Sequence, residues 1–432
     1  MTIKTAKRQA AMPFIMVTVL IDMLAIGLII PVLPPLVGKF SGSQADQAYW
    51  YGVVVLAFGI ANFFASPILG ALSDRYGRRP VLLLGFMGLG ISFFGTALAA
   101  GLGTLVAVRV VAGAMQANAA IANAYVADIT PSEHRAKRFG LLGAMTGLGF
   151  IIGPVMGGLL GAVDLQLPFY AAGTLAMLNL AYGCFVLPES LPPTQRKAFQ
   201  WKAANPFAAL LTLSKLKGVG PLVGVVAFSG LAQFILYTTW VLYTTFKFGW
   251  GPVQNGWSLA AVGVVQALVQ GVLLGLLLKR ISPQRLAVMG LVSSALGYAL
   301  WGAATAGWMM FAVIAVNLLG GTVTAAVQSM ISSAADSKSQ GQTLGAVAAL
   351  NSLMAVLAPI IGAPLLALVS HLPKGDWRIG APFYFCAALQ VVSLGLAVWH
   401  FRRHRNEGVG AGALVGLMRG ETSDLQRDAD RV

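Results

Sequence analysis

Long apolar runs alternate with short polar segments along the whole chain. Twelve of these runs are close to 20 residues or longer, which is about the length that an α-helix needs to cross the roughly 30 Å hydrocarbon core of a bilayer. The pattern therefore predicts an all-α membrane protein with twelve transmembrane helices. The expected spans are residues 13–37, 50–72, 80–100, 104–127, 138–162, 167–187, 219–244, 253–278, 286–304, 307–333, 342–370 and 380–401.

The second half of the chain repeats the plan of the first at an offset of 205 residues. Gly70 to Gly85 aligns without gaps on Gly275 to Gly290, and the segment that begins at Gly153 aligns on the segment that begins at Ala358. Such duplication is typical of secondary transporters built from two pseudo-symmetric six-helix bundles. The expected domains are an N-terminal bundle at 1–187, a cytoplasmic interdomain linker at 188–217, a C-terminal bundle at 218–401 and a disordered cytoplasmic tail at 402–432.

Composition and charge agree with a membrane protein. Of the 432 residues, 57% are hydrophobic and only 10% are charged, which excludes an ordinary soluble domain. The net charge of +15 could indicate nucleic-acid binding, but 24 of the 29 Lys and Arg lie in the termini and the even-numbered connections. By the positive-inside rule, both termini are expected to be cytoplasmic in a multi-pass protein of the cell inner membrane. The charge thus indicates topology, and no nucleic-acid partner is expected.

A charged side chain inside a predicted span is expensive and usually has a function. Of the 14 Asp and Glu, Asp22 is the one that lies well inside a span, and Arg109 is the one deeply placed base. Because apolar surroundings disfavour the charged carboxylate, a group at this depth can take up and release a proton. We hypothesise that Asp22 carries a coupling proton with Arg109 nearby. The alternative is a fixed ion pair that only joins helices one and four.

Polar residues inside the other spans predict a substrate cavity. Arg109, Gln116 and Asn123 are spaced by seven, so they would form one stripe on helix four. The alternative for any one of these residues is an interhelical hydrogen bond, worth about 0.6 to 2 kcal/mol. The predicted cavity residues are Gln116, Asn123, Gln233, Tyr237, Trp240, Gln266, Gln270, Asn317, Gln328 and Asn351.

A charged insert separates spans two and three. We expect a turn between two helices on the cytoplasmic face, where Gly70 allows close packing and Gly77 a tight turn. A positive-inside anchor would explain the arginines but not Asp74. Asp128, at the end of span four, could pair with one of the arginines in a network that breaks and reforms as the halves move. The predicted gating residues are Gly70, Asp74, Arg75, Gly77, Arg78, Arg79 and Asp128.

Helix five is crowded with small residues whose spacing favours tight helix packing and a bend rather than a nucleotide-binding loop. The residues are Gly147, Gly149, Gly153, Pro154, Gly157 and Gly158.

These motifs resemble those of a known family. The segment from Gly70 to Arg79 resembles the signature between helices two and three of the major facilitator superfamily, and Arg109-x-x-x-Gly113 resembles its second motif. Gly153-Pro154-x-x-Gly157-Gly158 looks like its antiporter motif, which favours exporters. The segments Pro188 to Pro192 and Trp240 to Trp250 look like the tetracycline/proton antiporter branch. The resemblance implies the twelve-helix major facilitator fold, coupling roles for Asp22 and Arg109, and a gating role for Asp74.

The chain departs from the tetracycline pumps at three places. Those pumps have a membrane Asp in helices three and nine and a His in helix eight. Here residues 80–100 and 286–304 contain no Asp or Glu, and residues 253–278 contain no His. Acidic groups suit the metal-chelated cationic drug that those pumps export. The resemblance therefore reaches the branch but not tetracycline itself as the substrate.

We expect a proton-coupled secondary transporter, a monomer in the lipid bilayer, that exports small amphipathic compounds, tetracycline-like or other drugs, by alternating access. The alternatives are a transporter of a metabolite such as an organic acid, with Arg109 binding the carboxylate, and a non-transporting membrane sensor. No catalytic constellation, metal-ligand cluster or cofactor motif is evident, so we expect no enzyme activity, metal or cofactor. Gly38-Lys39 is followed by Phe40 rather than by Ser or Thr, which argues against a phosphate-binding loop.

Overall fold

The computed structural model describes residues 3–201, 205–214, 220–333 and 340–403. Within these ranges the chain is helical and has no β-strand. Most of the expected tail, from residue 404 onward, lies outside the described residues, as do parts of the expected linker.

Six long helices form the first half, and most of their bounds agree with the apolar runs. Helix α1 ends in a short turn and continues as a brief second segment, and α4 consists of two segments. The bounds are α1 Ile3–Ile29 with Leu33–Gly38, α2 Gln44–Tyr76, α3 Arg78–Ala97, α4 Leu102–Met115 with Asn118–Ile129, α5 Arg135–Val163 and α6 Leu167–Phe185.

The second half follows a short linker helix, Pro206–Ser214. In α8 a π-helical turn, Val269–Leu273, interrupts the regular hydrogen bonding. The two segments of α10 are joined by a 3₁₀ turn, Leu319–Thr322. The bounds are α7 Gly220–Phe248, α8 Pro252–Leu278, α9 Pro283–Ala303, α10 Gly307–Val316 with Val323–Ser333, α11 Gln340–Val369 and α12 381–403.

Length and apolarity make this a multi-pass membrane protein. In the described ranges, ten helices are long and apolar enough to cross a bilayer, or eleven if the two segments of α10, bent by 49°, form one span. Helix α6, with 19 residues, lies where the sequence predicts the sixth span, but it is not among those ten.

Helices pack both within each half and across the halves. In the first half α1 packs on α5 and α6, α2 on α4, and α3 on α6. In the second half α7 packs on α11, and α9 packs on the segments of α10. Two pairs make most of the contacts between the halves, α5 with α8 and α2 with α11. These four helices therefore control how the halves meet.

The closest approaches of the two joining pairs lie toward one side of the bundle. A side chain at Gly52 of α2 would collide with Ala363 of α11, and one at Gly256 of α8 would collide with the carbonyl of Pro154 in α5. Small residues thus let the backbones approach closely, as is common in membrane helix pairs. This is the side where α1 ends and α2 begins. We call it the far side, and the side that carries the 70–79 insert the basic side.

Toward the basic side the same helices have open space beside their glycines. A side chain added there would meet no atom within 4 Å. Close contacts between the halves therefore lie near the far ends of these helices, and the following glycines toward their basic ends have none. The glycines are Gly70 of α2, Gly140, Gly143 and Gly147 of α5, Gly271 and Gly275 of α8, and Gly345 of α11.

The linker helix lies against both halves. Asn205 Oδ1 accepts from the backbone N–H of Phe207 at 2.9 Å, which caps the helix, and Pro206 suits its first turn. The ring of Phe207 packs on Phe63 and Phe64 of α2, with centroids 5.6 and 6.1 Å apart, and the helix also contacts α11. Phe64 lies twelve residues, about 18 Å, from the basic end of α2. The first turn of the linker helix therefore packs on the middle of α2, inside the predicted span 50–72, rather than at its basic end.

Candidate functional site

Asp22 lies in a small cavity inside the first half. Its side chain is 6% exposed, and Asn118 Nδ2 donates a hydrogen bond to its Oδ1 at 3.0 Å. The cavity has a volume of about 60 Å³, enough to hold water. We call it the carboxylate cavity. Its polar lining residues are Thr18, Asp22, Asn118, Asn123 and Thr146, contributed by α1, α4 and α5.

The residue that binds Asp22 sits at a break in α4. Gln116 is extended (φ −93°, ψ 94°), and the second segment of the helix begins at Asn118. Asn62 of α2 donates to the carbonyl of Gln116, so a backbone oxygen released by the break is satisfied. The break interrupts the stripe expected from the sevenfold spacing. Of its members, Asn123 lines the carboxylate cavity, whereas Gln116 and Arg109 do not.

Arg109 is buried away from Asp22. Its side chain is 5% exposed, and its Nη2 donates to Thr96 Oγ1 of α3 at 2.9 Å. Its Nε has no hydrogen-bond partner, and no ion pair joins Arg109 to Asp22 in the described part of the chain. The alternative of a fixed Asp22 to Arg109 pair is therefore wrong. Within the described ranges, a guanidinium is held in the protein without a carboxylate beside it.

The charged insert forms a network at the basic ends of α2, α3 and α4. Arg78 Nη1 forms an ion pair with Asp74 and also donates to Ser73 Oγ at 2.7 Å. Arg78 Nε donates to Asp128 Oδ2 at 3.0 Å, which confirms the expected pairing of Asp128 with an arginine. One half-buried arginine thus connects three helices, and we call this group the charge network.

The beginning of the linker is held by the same network. The carboxylate of Glu189 accepts from the backbone N–H groups of Arg78 and Arg79 at 2.8 and 3.2 Å, so it caps α3 at the positive end of the helix dipole. Ser190 Oγ donates to Asp128 Oδ2 at 3.1 Å, and Tyr125 OH donates to the carbonyl of Pro188 at 2.7 Å. Sequence reasoning placed Pro188, Glu189 and Ser190 in a linker and missed their contacts, because only the fold brings residue 189 next to residue 78.

The remaining insert residues play different parts. Gly77 has φ 111°, a conformation that side chains disfavour, so it permits the sharp turn expected between α2 and α3. Gly70 does not serve close packing, because the space beside it is open. Arg75 is exposed and lies over the ring of Tyr76, while Arg79 donates to the carbonyls of Gly183 and Cys184 at the end of α6.

The glycines of α5 face two neighbours. Gly153 and Gly157 lie against α1, where side chains would collide with Gly27 and Leu28. Gly158 and the carbonyl of Pro154 lie against α8 of the other half. The antiporter-like motif therefore lies at the contact that closes the far side.

A second pocket lies in the other half. It has a volume of about 70 Å³ and is lined by α7, α8, α9 and α10. Asn317, at the break in α10, accepts from Ser293 Oγ at 2.8 Å. We call this the amide pocket. Its polar lining residues are Gln233, Gln266, Ser294, Tyr298 and Asn317, so three predicted residues meet in it, and no lining residue is an acid or a base at neutral pH.

The other predicted cavity residues lie outside this pocket. Trp240 is 3% exposed, and its Nε1 donates to Ser258 Oγ at 3.0 Å, so it belongs to the packed core of the second half. Tyr237 is 45% exposed and hydrogen-bonded with Gln233. Gln270 is exposed, Gln328 is half-buried, and Asn351 lies against Gly230 of α7. Among the described residues, no three His, Cys, Asp or Glu side chains are placed to hold a metal ion.

Comparisons with known proteins agree with this arrangement. The model of the family described as Major Facilitator Superfamily matches residues 15–243 and 222–417. The chain is 38% identical over 379 residues to the class C tetracycline resistance protein of Escherichia coli, covering 88% of this chain and 95% of that protein. It is 34% identical to the class D protein of Salmonella ordonez, covering 85% and 93%. It is 28% identical to multidrug resistance protein 2 of Bacillus subtilis (strain 168), covering 89% and 94%.

Solved structures share the fold at lower identity. The nucleoside transporter NupG matches with a TM-score of 0.71 and 15% identity, covering 90% of this chain and 99% of that one. The D-xylose-proton symporter matches with a TM-score of 0.70 and 18% identity, covering 90% and 97%. A bacterial homologue of the lysosomal transporter Spinster, in an inward-facing conformation, matches with a TM-score of 0.70 and 16% identity, covering 92% and 97%.

Proposed function

The chain belongs to the major facilitator superfamily, as its motifs predict, and we propose that it exports small amphipathic drugs in exchange for protons. Membership makes it a membrane transporter rather than an enzyme, and the resistance proteins among its relatives support drug export. The exchanged proton and the alternating-access cycle are our inferences from the site.

The observation that carries the proposal is the position of Asp22. Among the residues that line the carboxylate cavity it is the one ionisable group, and among the described side chains it has an amide donor but no cation beside it. A buried carboxylate without a counter-ion is costly when charged, so proton uptake relieves that cost. Such a group can change its charge once in each cycle.

The uneven packing supports alternating access, and we infer from it a cleft between the halves that opens toward the basic side. We assign the basic side to the cytoplasm, so the closed far side faces outward and the cleft would receive a drug from inside the cell. Both termini would then be cytoplasmic, with α6 and the bent α10 completing twelve spans. Export requires the far-side contacts at Gly52 and Gly256 to separate while the basic side closes.

The substrate should differ from a metal-chelated tetracycline. The amide pocket offers hydrogen bonds and aromatic surface but no carboxylate to attract a cationic complex. That lining suits the hydrogen-bonding end of an uncharged or zwitterionic amphipathic drug, since about 70 Å³ holds only part of a drug-sized molecule.

Proton movement in everted membrane vesicles tests the proposal. Tetracyclines, other drugs and organic acids are added in turn, and dissipation of an imposed pH gradient is recorded for the wild type, Asp22→Asn and Asp164→Asn. Asp164 is an exposed carboxylate outside the cavity, so its variant is the matched control. We expect at least one drug to dissipate the gradient in the wild type and the control but not in Asp22→Asn.

Two results would contradict the proposal. Dissipation by organic acids alone would make the protein a metabolite transporter. Equal dissipation in wild type and Asp22→Asn would remove Asp22 from the proton path.

A further inference from the structure

The second segment of α4 connects the carboxylate cavity to the charge network. Its first residue, Asn118, donates to Asp22, and its last turn carries Asp128, which accepts from Arg78 and Ser190. Ten residues of α-helix separate the two contacts, a distance of about 15 Å. If this short helix moves at Asn118, Asp128 therefore moves with it.

The segment has a hinge at its start. Residues 116 and 117 are not helical, and Asn62 of α2 satisfies the carbonyl of Gln116. The second segment can therefore tilt without breaking hydrogen bonds inside a continuous helix.

The Asn118 amide is suited to respond to a proton on Asp22. Asn118 is 3% exposed, and its Oδ1 has no hydrogen-bond partner while its Nδ2 donates to the carboxylate. A charged Asp22 can only accept, whereas a protonated Asp22 has an O–H to donate. The unpartnered Oδ1 is the acceptor that such a group requires. Protonation of Asp22 thus favours a position of the Asn118 side chain in which its Oδ1 accepts from the carboxyl O–H. The change also gives a partner to a buried oxygen that has none.

Other ionisable groups around Asp22 are occupied elsewhere. None lines the cavity from α3, α4 or α5. On α4, Arg109 bonds to Thr96, Tyr125 to Pro188 and Asp128 to Arg78. Tyr182 of α6 packs on Phe14, and α6 presents Asn179 to the carbonyl of Thr18. Arg78 and Arg79 of α3, and Arg135, Lys137 and Arg138 of α5, lie near the basic ends of those helices.

We propose that Asn118 is a positioning residue that reads the protonation state of Asp22 and, through the second segment of α4, changes the charge network. The inference rests on the proposed proton exchange at Asp22. It assigns to Asn118 the step between proton uptake and the rearrangement of the cytoplasmic gate.

Distance measurements by electron paramagnetic resonance test it. Spin labels are placed at Glu133→Cys, after α4, and Gln195→Cys, in the linker, in a background carrying Cys184→Ser and Cys386→Ser. Both labelled positions are exposed. The distance is measured at mildly alkaline and mildly acidic pH in the wild type, Asp22→Asn, Asn118→Ala and Asn123→Ala. Infrared absorption of the protonated carboxyl shows separately whether Asp22 still titrates.

We expect the distance to change with pH in the wild type and in Asn123→Ala, a control that also alters an asparagine of α4 lining the same cavity. It should stay constant in Asn118→Ala although Asp22 still titrates, and transport should fall about tenfold or more. A structural role alone would lower the unfolding temperature but leave the pH response intact.

A wild-type distance that does not change, or an Asn118→Ala response equal to that of the wild type, overturns the inference. A pH response that persists in Asp22→Asn instead contradicts the proposed proton site. The two failures are therefore distinguishable.

Discussion

The two halves share a scaffold but differ in what they bury at membrane depth. The repeat offset of 205 residues aligns the break in α4 with the break in α10, and both helices are interrupted there. At that offset Arg109 corresponds to Ile314, which lines the amide pocket, and Asp74 corresponds to Lys279. The first half holds Asp22 and a buried arginine, whereas the corresponding region of the second half offers amides and hydroxyls.

The difference teaches that backbone symmetry and chemical symmetry are separable. Rocking two halves around a central cleft requires matched helices and matched breaks, and these are present in both copies. An ion-coupled cycle needs a titrating group in only one copy. In the proposed cycle the second copy is free to use uncharged hydrogen bonds, which would hold a drug without responding to the proton.

The largest effect is expected where the first half is made to resemble the second. Arg109→Gln should reduce drug-dependent proton movement by about 100-fold, because the buried cation is removed from the coupling half. The unfolding temperature of Arg109→Gln in detergent should be no lower than that of the wild type. An unpaired buried charge costs several kcal/mol, and the substitution removes that cost. Ile314→Gln is the matched change in the second half and should keep coupling. Unchanged transport in Arg109→Gln would contradict the idea that proton coupling depends on the charged groups of the first half.

A smaller effect is expected at the charge network and at the corresponding segment of the second half, between α8 and α9. Arg78→Ala leaves Asp74 and Asp128 without their shared cation and should lower the free energy of unfolding by about 2 kcal/mol, with a clear loss of transport. Arg280→Ala changes an exposed residue in the segment between α8 and α9, and it should have little effect on the free energy of unfolding or on transport. Chemical denaturation in detergent compares the two. Equal losses would show that the second insert carries a network of its own.

The smallest effect is expected in the amide pocket. Gln266→Ala removes one hydrogen-bonding group from the pocket and should raise the KM for the drug by about two- to tenfold, without changing the number of protons moved per drug. Gln270→Ala, one turn further along α8 and outside the pocket lining, is the control. A change in proton stoichiometry for Gln266→Ala would place coupling in both halves.

The helices could be predicted because their signal is local. A run of about 20 apolar residues reports a membrane span whatever its neighbours are, and α3, α9 and α12 begin and end within a few residues of the predicted spans. The pairing of Asp128 with an arginine was also predictable, because both ends of the contact lie on the same face of the membrane.

The breaks in α4 and α10 could not be predicted in this way. Hydropathy continues through residues 116 and 117, and the stripe of Arg109, Gln116 and Asn123 assumed an unbroken helix. Asn62, which satisfies the break, is more than fifty residues away in sequence. Asn118 could have been found, since the cost argument that singled out Asp22 applies to any polar residue inside an apolar run.

If the halves alternate as we propose, the linker helix brings the surrounding lipid into the equilibrium between the two states. Its first turn packs on α2 inside the predicted second span, the helix also contacts α11, and its nine residues carry no charge. If α2 and α11 close on the basic side, this segment must leave the gap between them, and its apolar surface leaves into hydrocarbon rather than into water. The free energy of closing then depends on bilayer thickness and acyl-chain packing, so the membrane itself sets part of the ratio between open and closed protein.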